Sequence, residues 1–385
     1  MNKLPPKEKL FFPNLDGLRT LAFLMVFSEH VFWSAFKYLE IKNPLVLHLC
    51  YTIFGNGGLG VSVFFVLSGF LITYLILKEQ ATFGKLDVKA FYVRRCLRIW
   101  PLYFLWLIFV FCIYPFFIKV SQLPLFQNPA ETWRYFIFLS NFDMIRIHEA
   151  GKEAFMHSGV TWSIAIEEQF YLIWPLLFFL IPRKFQTLVF LPFLIISFIF
   201  RFYNINDPTT LYFHSLGVCS DLAVGGLAAF FSFKHPEKIS RLFSPSDIMR
   251  LIFYLVGIFF VLFNEFIIAW TYWPVFNRFF ITLFFGAVIL DQNFSVSGFF
   301  KLSNIKSISL LGKFTYGLYL LHPLGYIIGK LFTDYFDLDL QGFIPRLIFS
   351  IAVLILTLFA ALLSYYFLEQ PFLKLKNRFS YISKE

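Results

Sequence analysis

The chain has 385 residues, of which 58% are apolar, 22% aromatic and only 15% charged, with a mean hydropathy of +0.70. A soluble domain carries about 25% charged residues, so the composition excludes an ordinary water-soluble protein and points to an all-α, polytopic membrane protein. The net charge of +10 invites a nucleic-acid reading, which the placement of those charges argues against.

The first apolar run, 18–38, follows a basic flank and has no small-residue cleavage site after it, so it reads as a retained anchor. It carries Arg19 and His30, eleven residues apart. Eleven steps of 100° fall within about 20° of three full turns, which places both on one face of a regular helix, roughly 16 Å apart. Ionisable groups on one stripe of a membrane helix are costly and mark a site. His30 is the candidate general base, because imidazole titrates near neutrality. The bland alternative is a ring satisfied by a neighbouring helix.

A second span is expected over 57–77. Its Ser68 lies at mid-depth, where a serine more often bonds its own helix backbone than reacts. The basic stretch 78–98 leads into a third span, 99–118. Arg95 and Arg98, three apart, share a face and could clamp phosphates, although arginines at a cytoplasmic helix end also meet anionic lipid. The run 132–142 is too short to cross. The next span, 161–181, opens with Glu167 and Glu168, which cannot both face lipid, and Tyr171 shares the face of Glu167. The alternative for Glu167 is a structural pairing with an intramembrane arginine.

Further spans are expected over 185–200, 209–233, 250–268, 273–290, 314–333 and 343–369, for ten in all. Asp221 lies in the 209–233 run beside small residues that allow close packing. Tyr319 and His322 stand three apart in the ninth span, ahead of Pro323, which is expected to kink the helix beside a cavity. With ten spans, one set of loops holds 22 of the 33 Lys and Arg and the other 7. Both termini are therefore expected in the cytoplasm, and topology accounts for the positive charge. Cys50, Cys96, Cys112 and Cys219 show no paired spacing, so neither a disulfide framework nor a metal site is expected. Gly55-Asn56-Gly57-Gly58 lacks the Lys-Ser/Thr of a phosphate-binding loop. No internal repeat stands out.

Taken in order, LDGLR with His30 eleven residues after its arginine, FFVLSGFLI, FYVRRCLRIWP, TWSIAIEEQFYLIWP, KFTYGLYLLHP and FLEQPF resemble the acyltransferase-3 superfamily of membrane O-acyltransferases. The resemblance covers roughly 12–372. It implies acyl transfer from cytoplasmic acyl-CoA, usually acetyl-CoA, to an extracytoplasmic sugar hydroxyl. It also implies that Arg19 and His30 are an essential pair, that Arg95 and Arg98 form an RxxR donor clamp, and that Glu167 is catalytic. Relatives often carry an arginine just before the acid matching Asp221, where this chain has Cys219-Ser220, so Asp221 is left out of the catalytic set. Some relatives add a C-terminal extracytoplasmic esterase-like domain, and none is expected here.

The expectation is thus one acyltransferase membrane domain over 1–385, with a short cytoplasmic tail at 373–385, in a bacterial inner membrane. His30, Arg19 and Glu167 are the expected catalytic residues, and Arg95, Arg98, Tyr319, His322 and Ser68 the expected substrate-binding residues. The partners are acyl-CoA as donor substrate, a cell-surface glycan or glycolipid, and membrane lipid, with no nucleic acid, no metal and no permanently bound cofactor. A secondary transporter is the rival reading, since buried Arg, His and Glu also line substrate pathways.

Overall fold

The computed structural model describes residues 12–39, 41–120, 130–152, 156–244, 246–268, 270–296 and 300–379. The basic flank 1–11 and the last part of the expected tail, 380–385, lie outside the described residues. Among the described residues the chain is helical throughout, with no β-strand. The principal helices are α1 (Pro13–Phe27), α2 (Gly58–Phe83), α3 (Val88–Ile108), α4 (Trp162–Leu180), α5 (Phe190–Tyr203) and α6 (Ser215–Lys234). They continue with α7 (Asp247–Ile267), α8 (Trp273–Phe294), α9 (Thr315–Tyr335), α10 (Phe343–Ser364) and α11 (Gln370–Lys376).

Among the described residues, eight helical stretches are long and apolar enough to cross a membrane: Pro44–Phe83, Val88–Phe117, His157–Leu180, Arg183–Tyr203, Pro208–Lys234, Asp247–Asn264, Trp273–Phe294 and Phe343–Phe379. Helices also occupy the other two expected positions, as α1 with its continuation to Phe36 and as α9. The run expected not to cross folds into two short helices, Thr132–Phe136 and Ser140–Glu149. Arg134 donates to Glu131 at 2.6 Å there, and with the charge of Arg146 it holds the Glu131 carboxyl below the usual carboxylate range.

Three differences from the sequence expectations bear on function. The basic stretch 78–98 is mostly helix. α2 runs to Phe83 and stops at Gly84, whose φ of 75° suits only a residue without Cβ. α3 begins at Val88, where Asp87 caps it by accepting from the Ala90 N–H at 2.9 Å. Arg95 and Arg98 therefore stand seven and ten residues beyond the first residue of the helix. Asp87→Ala is expected to cost about 1 kcal/mol, read as a lower apparent melting temperature in detergent. An unchanged melting temperature would contradict the cap.

Second, the expected tail is partly structured, since α11 packs against α3. Third, the first helix changes pitch, with Ser28–Phe32 forming a single π-helical turn.

The centre of the bundle is a close crossing of α2 and α6, made possible by glycines. A Cβ on Gly225 would lie 2.0 Å from the Val66 carbonyl oxygen, and one on Gly69 the same distance from that of Leu222. Beside this crossing, Asp221 is fully buried and ion-paired with Arg278 of α8 (Nη2 to Oδ2, 2.7 Å). α7 turns Leu251, Ile252, Leu255, Val256 and Phe259 outward, which suits a lipid-facing surface.

Candidate active site

The LDGLR motif is shaped by contact with a distant stretch. Gly17 admits Leu302, and Gly312 admits the Asp16 carbonyl, since a Cβ at either glycine would come within 2.7 Å or less of those atoms. That contact seats α1 against the segment Lys306–Leu311. Asp16 then pairs with Arg19 one turn later, Oδ1 to Nη1 at 2.5 Å, with both side chains largely shielded.

Arg19 lines a cavity of about 100 Å³ together with Ser68 of α2, Arg95 and Arg98 of α3, Ser163, Glu167 and Tyr171 of α4, and Thr315, Tyr316 and Tyr319 at the start of α9. Five stretches far apart in sequence therefore meet at one point. Ser163, Glu167 and Tyr171 recur every four residues, so one face of α4 supplies all three.

Glu167 accepts from Ser68 Oγ at 2.8 Å through Oε1 and from Tyr171 OH at 2.7 Å through Oε2. The Tyr171 hydroxyl also lies 3.1 Å from Ser68 Oγ. The serine thus bonds across to α4 and not to its own helix backbone, which was the bland alternative for it, and Glu167 accepts from hydroxyls. Glu168 diverges by one helical step and accepts from Trp100 Nε1 at 3.0 Å. The Arg95 guanidinium lies over the rings of Phe91 and Tyr171, 5.5 Å from each centroid.

Glu167→Gln puts an amide where two hydroxyl donors require an acceptor. If this trio shapes the reacting site, initial rates of acetyl transfer are expected to fall about tenfold to a hundredfold, the equivalent of 1–3 kcal/mol. Wild-type rates in this variant would remove Glu167 from the site.

His30 and His322 do not line this cavity but meet each other, His30 Nδ1 lying 2.8 Å from His322 Nε2. Tyr319 joins the two places. Its hydroxyl, 2.7 Å from Ser163 Oγ, lines the cavity, and its carbonyl lies 2.6 Å from His322 Nδ1. His30 sits inside the π turn, where the rotation per residue is smaller than the regular 100°.

Sequence reasoning passed over Ser163, Thr315 and Tyr316. Ser163 carries a usable signal, its spacing of four from Glu167. Tyr316 carries none, because its partner is the Ile99 carbonyl at 2.7 Å, far off in the chain.

A family model described as an acyltransferase domain matches residues 12–366. The chain is 28% identical over 383 residues to the O-acetyltransferase OatA of Staphylococcus aureus (strain NCTC 8325 / PS 47), an alignment covering 94% of this chain and 57% of that protein. The protein of the same name from strain COL gives the same figures. The chain thus spans little more than half the length of these curated relatives. No solved structure matches it.

Proposed function

The chain belongs to the family of acyltransferase domains, and from that premise we propose that it moves an acetyl or other short acyl group from cytoplasmic acyl-CoA to a hydroxyl of an extracytoplasmic glycan or glycolipid. The observation that carries this reading is the cation set of the cavity. Arg19, Arg95 and Arg98 line one cavity. Asp16 pairs with Arg19, while Arg95 and Arg98 have no ion-pair partner among the described residues. Three guanidiniums face one carboxylate, Glu167, among the lining residues, so shielded positive charge is in excess there, and a ligand bearing several phosphates offsets its cost with charge-assisted bonds. Coenzyme A is such a ligand.

In this reading the arginines hold the phosphates and the thioester arm runs past Tyr319 towards His30. The acceptor hydroxyl gives its proton to the His30 imidazole and its oxygen attacks the thioester carbonyl. As the tetrahedral intermediate collapses, the C–S bond breaks. The coenzyme A thiolate leaves, recovers the proton from the imidazolium, and the acyl group remains as an ester on the acceptor. The excess of Lys and Arg on one set of loops supports an orientation with both termini in the cytoplasm of a bacterial inner membrane.

The test is incubation of membranes containing the protein with radiolabelled acetyl-CoA. The expected result is label in alkali-labile esters of the glycan fraction. Label no higher than in membranes without the protein contradicts the reading.

A further inference from the structure

His322 is fully buried in α9, directly before Pro323. Proline has no N–H, so the carbonyl four residues earlier, that of Tyr319, loses its regular helical donor. The His322 side chain fills the gap, with Nδ1 2.6 Å from that oxygen. A carbonyl oxygen only accepts, so Nδ1 of His322 carries a proton, and in the neutral ring Nε2 is then the lone-pair nitrogen. That nitrogen lies 2.8 Å from His30 Nδ1, so in a neutral pair His30 donates through Nδ1. The two rings lie within 11° of parallel, with centroids 5.0 Å apart, and Phe27 packs edge-on against His322 with centroids 6.2 Å apart. His30 lies within the π turn Ser28–Phe32.

We infer that the Tyr319 carbonyl and His322 form a relay that fixes His30 in its Nδ1–H tautomer, leaving Nε2 as the nitrogen that receives the acceptor's proton. His322 is then a positioning residue, not a substrate-binding one. Pro323 becomes part of the device because it frees the carbonyl that anchors the chain. The inference rests on the reading of His30 as general base.

Two measurements on the full-length protein in lipid nanodiscs test it. Nitrogen NMR of histidine-labelled protein, with the His30 signal identified by its loss in His30→Gln, is expected to show the Nδ1–H tautomer in the wild type. His322→Leu is expected to give a mixed population, and His322→Gln, which restores an acceptor at the position of Nε2, is expected to recover the wild-type pattern. In acetyl transfer, His322→Leu is expected to lower kcat at least about tenfold, as when a base loses the group that sets its tautomer, with KM for acetyl-CoA unchanged. An Nε2–H tautomer in the wild type overturns the inference. So does an unaltered tautomer or an unaltered kcat in His322→Leu. A wild-type protein that transfers no acetyl group sinks the functional reading instead and leaves the tautomer result standing.

Discussion

Replacing His30 by Ala is expected to lower acetyl transfer about a thousandfold, within the range removed with a positioned general base, while the protein stays inserted and folded. The expectation rests on what the ring touches. His30 Nδ1 is committed to His322, and no imidazole among the described residues lines the cavity itself. Removing the ring also leaves His322 Nε2 without its donor, a cost of about 1–3 kcal/mol for a buried polar group, so a modest loss of stability should accompany the loss of rate. The rate loss far exceeds what that stability change can explain. Steady-state transfer measured on equal amounts of folded protein separates the two effects. Transfer at the wild-type rate in His30→Ala would end the assigned role of the imidazole.

The second large effect is expected from the pair Arg95→Ala and Arg98→Ala together. Each guanidinium bond to a phosphate is worth about 1.5–3 kcal/mol, or roughly tenfold to a hundredfold in affinity. The double variant should therefore raise KM for acetyl-CoA by two to four orders of magnitude if the contributions add. kcat at saturating donor should change far less, because neither arginine is assigned a proton or a bond to the reacting carbon. Arg95 also stacks on Tyr171, which bonds Glu167, so the Arg95 single variant is expected to carry some kcat loss that the Arg98 variant does not. Equal KM values for wild type and double variant would place the donor elsewhere.

Much of the candidate site was legible in the sequence because helical spacing is local. The three-residue step from Arg95 to Arg98 and the four-residue step from Glu167 to Tyr171 both put side chains on one face, and the cavity uses both faces. Tyr319 and His322 were likewise placed together by their spacing, and their ring centroids lie 6.1 Å apart. Two features were not legible, for physical reasons. The π turn at Ser28–Phe32 has no compositional mark. Long-range partners are equally silent. The ion pair of Asp221 with Arg278 and the bond from Ser68 to Glu167 join positions 57 and 99 residues apart, and only the folded packing selects them.

The start of α3 was misjudged for a third reason. Counting charges for topology treats a basic stretch as a loop, although Lys and Arg are good helix formers. The structure extends the helix back to Val88.

The most direct test of the account is an experimental structure of the protein in lipid with a non-hydrolysable thioether analogue of acetyl-CoA. The account predicts the phosphates against Arg95 and Arg98, the arm passing Tyr319, and the acetyl carbonyl within hydrogen-bonding reach of the space beside His30. An analogue bound with its phosphates away from that cavity, or with its acetyl end remote from His30, would contradict it.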